Sequence, residues 1–321
     1  MSTQRIIEVV PYNPEWQNLF NMETSRIQEA LGENCVGIHH IGSTSVPGLA
    51  AKPVIDMIPV VRDIMKVDNS NNAMQLLGYE AKGEYGITFR RYFQKGAEFR
   101  THHAHVFEEG SPEIERHLKF RDWMRSHPTD LDAYAALKQE LAKNHPNDIM
   151  AYCLGKEEFI ADIDNKAGCF GLRIVKSLTP HEWEAVRHFR QHYFFDKVPV
   201  SDPYTWTFEH EDHVHFILYK GSQIKGYAHI QFWPGQRAAL RIMVIEEDSR
   251  NQGIGGAFLK LCERWLYQQG LVVLQMESSP EAKKFYVRQG YIEMPFNDPE
   301  NGLSFPQDIP MGKMLVKNNI T

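Results

Sequence analysis

A glycine-rich run in the second half of this sequence has residue types that could bind an anion. It follows a predicted strand, 240–245, and opens a predicted helix, 253–269. Glycines let the backbone approach a ligand closely, and the unpaired N–H groups at a helix start favour a pyrophosphate. The run lacks the third glycine of a dinucleotide fingerprint and the Gly-Lys-Ser/Thr of a P-loop. The predicted cradle consists of Arg250, Asn251, Gln252, Gly253, Ile254, Gly255 and Gly256.

A second dense motif, in the first half, suits phosphate or metal chemistry. A predicted strand, 35–41, leads into Gly42 and Ser43, and the next predicted strand, 54–61, carries Asp56. Backbone and hydroxyl donors suit phosphates, and a nearby carboxylate suits a divalent cation. We expect Ser43 and Lys52 to contact phosphate.

His103 and His105 add two imidazoles to this motif. Both lie on a predicted strand, 103–107, and alternate residues of a strand share one face. Together with Asp56 they could bind one transition metal, which predicts a divalent-metal site. The alternative is a polar ligand pocket that performs no chemistry.

Two blocks of alternating strand and helix patterns must position these motifs. The sequence predicts an α/β (α+β) protein with two domains, 1–165 and 171–321, joined by a polar linker at 164–168. In the first block we predict an opening strand at 6–10 and a helix at 148–163. In the second, Thr179 and Glu182 predict a capping box at a helix start.

Composition argues against several classes of protein. The chain has 321 residues with 35 Lys+Arg and 41 Asp+Glu, a formal charge of −6, so nothing indicates a nucleic-acid partner. Its four cysteines are scattered without a CxxC pair, which favours a reducing cytoplasm over a disulfide framework or a zinc knuckle. No signal peptide or membrane-spanning run is evident, so we expect a cytoplasmic protein without a membrane partner.

The second block resembles the GNAT family of acetyl-CoA-dependent acetyltransferases over residues 171–316. The resemblance rests on Arg-x-x-Gly-x-Gly after a strand, followed by Ala-x-x-x-Tyr-x-x-x-Gly-Tyr at 282–291. It implies a central mixed, mostly antiparallel sheet, acetyl-CoA as cofactor and an amine on a small molecule or peptide as acceptor. It also implies that Tyr286 protonates the departing thiolate. The implied cofactor contacts are the backbone of Val244 and Ile245, the cradle 250–256, Ser279 (where the family often has Asn), Ala282 and Phe285.

The acceptor amine must lose a proton before it attacks, and several residues could accept that proton. His229 lies on a predicted strand, Glu246 follows the cofactor strand, and Glu277 follows the next strand. A histidine titrates nearest neutrality. Acidic residues just outside the predicted strands would attract a cationic amine if they share a rim: Glu209, Glu211, Asp212, Glu246, Glu247 and Asp248.

The first block resembles the GrpB family, whose fold is nucleotidyltransferase-like, over residues 5–163. The resemblance rests on the run HIGSTSVPGL with AKPVID and continues through His103-Ala104-His105. It implies a mixed sheet with helices. Working nucleotidyltransferases usually carry a second acid two residues after the first, where this chain has Ile58. Two alternatives to a simple acetyltransferase therefore stay open. One is a nucleotidyltransferase whose second block only senses CoA, and the other is a non-catalytic first block that binds a ligand.

Overall fold

The structure, a computed structural model, describes residues 6–196, 201–300 and 306–316. The chain divides into two compact units, Met1–Gly171 and Leu172–Thr321. Each unit packs helices against one mixed sheet, which confirms the predicted fold class. Among the described residues, no helix combines the length and the apolar character that crossing a membrane requires.

The N-terminal unit contains a five-stranded mixed sheet in the order β1-β2-β5-β4-β3. Strands β2 and β5 pair in parallel, and the other neighbours pair antiparallel. The strands are β1 (Cys35–Ile41), β2 (Ile55–Val61), β3 (Tyr79–Ala81), β4 (Arg90–Lys95) and β5 (His102–Glu108). The helices are α1 (Glu15–Leu31), α2 (Asn71–Leu76), α3 (Pro112–Ser126), α4 (Pro128–Asn144), α5 (Ile149–Leu154) and α6 (Glu157–Lys166).

Alternate residues of β2 point into two separate apolar clusters. Met57 packs with Trp16 and Phe20 of α1 on one face of the sheet. On the opposite face, Ile58 is fully buried with Phe107. Asp56 shares the face of Ile58, since strand residues alternate. The carboxylate therefore lies at the end of a largely apolar strand face.

Three predictions for the N-terminal unit were wrong in detail. Segment 6–10 forms only an isolated bridge, between Val10 and Ala51. The helix predicted over 148–163 is two helices, α5 and α6, separated at Gly155, where an added Cβ would clash with Leu141 of α4. Segment 164–168 begins as the last turn of α6, where the buried Asp164 accepts a hydrogen bond from Arg116 at 2.6 Å.

The C-terminal unit contains a seven-stranded mixed, mostly antiparallel sheet in the order β11-β12-β10-β9-β8-β7-β6. Its strands are β6 (Leu172–Lys176), β7 (His213–Lys220), β8 (Gln223–Trp233), β9 (Arg237–Ile245), β10 (Val273–Ser278), β11 (Ile292–Glu293) and β12 (Ile309–Met314). Its helices are α7 (Pro180–Arg190), α8 (Ile254–Gln268) and α9 (Lys283–Arg288). The capping box of Thr179 and Glu182 is present at the start of α7.

Candidate functional site

Strands β9 and β10 separate part-way along their length and leave a cleft in the sheet. They pair in parallel only where Arg237–Ala239 faces Val273–Gln275. Beyond Ala239, β9 continues to Ile245 and keeps its pairing with β8, while β10 keeps its pairing with β12. In the described part of the chain, β9 from Leu240 onward therefore presents a backbone edge without a strand partner. Such an edge can pair with an extended ligand.

The predicted cradle connects the end of β9 to the start of α8. Asn251 and Gly253 both adopt positive φ, 60° and 80°, and Gly253 caps α8 without a side-chain hydrogen bond. The side chain of Arg250 donates to the carbonyl of Ile245 at 2.9 Å, which ties the loop to β9. The first N–H groups of α8 are thus left for a ligand, and the helix dipole favours an anion there.

A cavity of about 670 Å³ opens between this loop and α9. Nine of the residues predicted to contact the cofactor or the reacting sulfur line it: Ile245, Arg250, Asn251, Gly253, Gly255, Gly256, Ala282, Phe285 and Tyr286. Met243, Arg288 and Gln289 also line it, although they were not predicted. The signal for Gln289 is helical spacing, since this C-cap residue of α9 lies one turn after Phe285.

Tyr286 lines this cavity with its ring held by aromatic neighbours. Its ring packs against Phe285 and Tyr291, with centroids 5.0 and 5.7 Å away. Within the described residues, its hydroxyl has no hydrogen-bond partner. Burial raises the pKa of Tyr286 to about 12, so the phenol keeps its proton at neutral pH.

In the N-terminal unit, Asp56 links the predicted imidazoles to the Gly42 turn. The parallel register of β2 and β5 places His103 beside Asp56, and its Nδ1 lies 2.9 Å from the carboxylate. His105 lies on the same face, with its Nε2 at 3.8 Å. A Cβ on Gly42, which has φ +67°, would come within 2.8 Å of the Asp56 carboxylate. The three side chains predicted to bind metal, and the turn beside them, therefore form one site.

Comparison with known proteins assigns both units. The GrpB protein model matches residues 6–166 and the Acetyltransferase (GNAT) family model matches residues 178–291. The chain belongs to the GrpB family. Its C-terminal unit is a GNAT-family acetyltransferase domain fused to the GrpB domain.

Each of three similar proteins matches at most half of this chain, and the match spans 40% of the length of the first of them. UPF0157 protein YqkA of Bacillus subtilis is 50% identical over 139 residues, which are 43% of this chain and 40% of that relative. The crystal structure of conserved protein GrpB from Enterococcus faecalis is 43% identical, with a TM-score of 0.48, covering 50% of this chain and 96% of that one. A GNAT-family acetyltransferase from Staphylococcus aureus is 15% identical, with a TM-score of 0.38, covering 46% of this chain and 100% of that one.

Four residues predicted to bind the cofactor lie outside the cavity lining of the GNAT domain. Val244 packs its side chain into the core beside α7, which leaves only its backbone for the cleft. Ile254 is buried in α8, and Gln252 donates back to the carbonyl of Asp248 at 2.8 Å. Ser279 precedes α9, where its hydroxyl accepts a long hydrogen bond, 3.4 Å, from the amide of Ala282.

The candidate bases of the GNAT domain lie in different surroundings. Glu277 is half-buried on β10, two residues beyond the last pair with β9 and on the face of Gln275. Glu246 accepts a hydrogen bond from Tyr193 at 3.0 Å. His229 is 4% exposed and lies in a buried polar network with Arg190, His213 and His215. Of the three candidate bases, Glu277 is therefore the one that lies on β10 just beyond the point where β9 and β10 separate.

Both ring nitrogens of His229 are engaged, and the partners determine its tautomer. Arg190, which Asp202 holds at 2.9 Å, can only donate, and its Nη1 lies 3.5 Å from Nδ1 of His229. Nε2 of His229 therefore carries the proton and donates to Nδ1 of His213 at 2.8 Å. Burial, His215 and Arg190 lower the pKa of His229 well below its ordinary value. His229 is thus poorly suited to accept a proton.

A similar tautomer argument applies to the proposed metal ligands of the GrpB domain. Ligand atoms of Asp56, His103 and His105 lie within 4.8 Å of one another. However, Nη1 of Arg90 faces Nδ1 of His105 at 3.0 Å and can only donate to it. The proton of a neutral His105 is then on Nε2, the nitrogen that a metal would need. A metal bound by all three side chains would therefore have to displace the Nε2 proton of His105, which opposes binding.

The two imidazoles nevertheless perturb the carboxylate between them. Burial alone would raise the pKa of Asp56, but hydrogen bonds from His103 and His105 lower it below its usual range. Burial also lowers the pKa of His105 to about 4, so this ring stays neutral. Asp56 is therefore an ionised acceptor that orients His103 and leaves Nε2 of that ring free to face a ligand.

Lys138 is a site residue of the GrpB domain that was not predicted. It lies on α4, and its Nζ donates to the hydroxyl of Ser43 at 2.8 Å and to the carbonyl of Ala50. Ser43 is 95 residues away in the sequence, so no local pattern relates the two. The predicted phosphate contact Lys52 lies nearby, with its ammonium 4.8 Å from the centre of the Tyr152 ring.

Proposed function

We propose that the GNAT domain transfers the acetyl group of acetyl-CoA to a primary amine by direct attack. The observation that carries this proposal is the joining of three features in one cavity: the open edge of β9, the anion cradle 250–256 and the unpaired phenol of Tyr286. In this arrangement the backbone of Val244 and Ile245 holds the pantetheine arm. The cradle binds the pyrophosphate, and Ala282 and Phe285 pack against the cofactor.

The reaction forms one C–N bond and breaks one C–S bond. The amine nitrogen attacks the thioester carbonyl, and its surplus proton passes to a base. We assign this role to Glu277, directly or through one water, because it lies just past the point where β9 and β10 separate. The departing thiolate receives a hydrogen bond, and finally a proton, from Tyr286.

The charge of the domain surface near the cleft supports a cationic acceptor. Glu246 follows β9 directly, and exposed acids continue the loop at Glu247 and Asp248. These acids suit a cationic amine on a small molecule or a peptide. Asp248 already pairs with Lys225 at 2.8 Å and Glu247 lies 3.6 Å from Arg250, so Glu246 is the acid of this loop that pairs with no cation among the described residues. Two other acids of the predicted rim, Glu211 and Asp212, are exposed just before β7.

An acceptor-amine panel tests this function, with release of free CoA thiol as the readout. The full chain should acetylate at least one class of amine, and Glu277→Gln should reduce turnover most strongly at low pH, where less of the amine is neutral. Isothermal titration should show acetyl-CoA binding. An absence of binding at about 1 mM acetyl-CoA would contradict the proposal.

The structure does not favour nucleotidyl transfer by the GrpB domain. Ile58, which stands where a second metal-binding acid is expected, is fully buried beside Phe107. A cation coordinated there would have to displace apolar core. ATP turnover with Mg²⁺ or Mn²⁺ that Asp56→Ala abolishes would reverse this judgement.

A further inference from the structure

Two arginines line the cavity of the GNAT domain, and they differ in their protein contacts. Arg250 donates to the carbonyl of Ile245 at 2.9 Å and lies 3.6 Å from the carboxylate of Glu247. Arg288 is an exposed residue in the last turn of α9. Among the described residues, no hydrogen-bond or ion-pair partner engages its guanidinium. The cavity therefore has one arginine whose donors are all left for a ligand.

Arg288 and Tyr286 line the cavity from opposite edges of the same face of α9. At about 100° per residue, the two side chains point about 160° apart, with Phe285 between them. The ring of Phe285 approaches the cradle, since a Cβ added to Gly255 would lie 3.6 Å from it. The middle of this face is thus directed at the anion cradle. Because the proposed reaction places the cofactor sulfur at Tyr286, Arg288 lies at the edge away from the sulfur.

Acetyl-CoA carries two separate anionic groups beyond its pantetheine arm. The pyrophosphate suits the N–H groups at the start of α8, together with Arg250. The second group is the 3′-phosphate on the ribose, at the end of the cofactor away from the sulfur, and a phosphomonoester has a charge of about −1.5 to −2 at pH 7. A guanidinium can bind such a group through two parallel hydrogen bonds. Another cation of α9, Lys283, is already paired with Glu293 at 2.6 Å.

We propose that Arg288 binds the 3′-phosphate of CoA, so that the GNAT domain selects CoA thioesters over acyl carriers that lack this phosphate. The proposal rests on the proposed acetyl-CoA function and adds the residue that recognises the nucleotide end of the cofactor. Arg288 is then a specificity-determining residue. It favours one cofactor over another and takes no part in moving the acetyl group.

Calorimetry of the full chain with CoA and with 3′-dephospho-CoA tests this proposal without an acceptor amine. We expect CoA to bind wild type at least about tenfold more tightly than dephospho-CoA. In Arg288→Gln this ratio should fall to within about twofold, because only CoA loses a contact. Arg288→Lys keeps the charge and should retain part of the ratio. Lys284→Gln is the matched control, since it removes a positive charge from the same helix at an exposed position outside the cavity lining, and it should keep the wild-type ratio.

The two ligands separate a failure of this proposal from a failure of the proposed function. Equal affinity of wild type for CoA and dephospho-CoA would overturn the role of Arg288 and leave acetyl transfer untouched. A parallel loss of affinity for both ligands in Arg288→Gln would overturn it too, because Arg288 would then bind the pyrophosphate that both ligands carry. An absence of binding of either ligand at about 1 mM would contradict the proposed function itself.

Discussion

Nη1 of Arg90 lies 3.0 Å from Nδ1 of His105, and this contact fixes the tautomer of a ring that the sequence made a candidate metal ligand. A guanidinium has only donors, so Nδ1 must accept and Nε2 must carry the proton. The imidazole then faces Asp56 with an N–H group. Both histidines therefore face Asp56 with polar ring atoms, and Arg90 of β4 fixes the orientation of the proton on His105.

Replacing Arg90 should expose latent metal affinity. In Arg90→Gln the amide oxygen can accept the Nδ1 proton of His105, which frees Nε2 as a ligand beside Asp56. We expect Co²⁺ affinity to rise at least about tenfold over wild type, measured by calorimetry and by visible absorption. Arg91→Gln is the control, because Arg91 pairs with Asp68 instead. Tight wild-type Co²⁺ binding that His105→Ala removes would contradict the argument.

Tyr286→Phe should slow acetyl transfer without weakening cofactor binding. A thiol has an ordinary pKa of about 8.5, so a phenol with a pKa of about 12 mainly stabilises the thiolate by a hydrogen bond. Losing one such donor should lower kcat about 100-fold and leave KM for acetyl-CoA nearly unchanged. Tyr267→Phe on α8, which lies outside the cavity lining, should behave as wild type. Full turnover of Tyr286→Phe across the pH range would remove Tyr286 from the mechanism.

Backbone conformation in the cradle can be tested with a pair of glycines. Gly253 has φ 80° and lines the cavity, while Gly235 has φ 76° in the turn between β8 and β9. No atom lies within 4 Å of a Cβ added at either position, so alanine acts through backbone strain alone. Both variants should lose about 1–2 kcal/mol of stability. Steady-state kinetics should show a raised KM for acetyl-CoA only in Gly253→Ala, and equal KM values in the two variants would argue against the cradle.

Local sequence patterns predicted the cradle 250–256 and the Gly42–Asp56 motif. Contacts between residues distant in sequence set the protonation and the hydrogen bonds of the candidate site residues. The cradle is a strand–turn–helix segment, so spacing along the chain was sufficient to find it. Lys138 meets Ser43 across 95 positions, and Arg190 meets His229 across 39, so neither contact has a sequence signature. His229 was a reasonable candidate base by residue type. Its surroundings, which only the fold provides, make it part of a buried network.

The ion pair of Arg190 and Asp202 belongs to this network, and removing only one of its two partners should destabilise the fold strongly. Arg190 and Asp202 have side chains only 1% and 10% exposed. Asp202→Ala should lose about 3–5 kcal/mol, because it leaves a buried guanidinium unpaired, whereas Arg190→Met combined with Asp202→Ala should lose less. Asp248→Ala, which removes an exposed carboxylate paired with Lys225, should cost much less than Asp202→Ala. Urea unfolding measures all three, and a double variant less stable than Asp202→Ala would contradict this ordering.

The same network should make the GNAT domain unstable in mild acid. Burial lowers the pKa values of His213 and His215 from 6.5 to about 4 in the folded state. Above pH 6.5 both rings are neutral in the folded and unfolded chain, so they add no pH dependence. Between pH 6.5 and about 4 the unfolded chain binds more protons, and stability must fall as the pH falls.

The unfolding temperature measured against pH tests this sign. We expect a decline on acidification from pH 6.5 that becomes shallower in His215→Gln, since one depressed imidazole has been removed. His181→Gln removes an exposed imidazole outside the network and should leave the slope as in wild type. Fewer protons taken up on unfolding is the physical cause of the shallower slope. An unchanged slope in His215→Gln would mean that this ring is not held neutral by the fold.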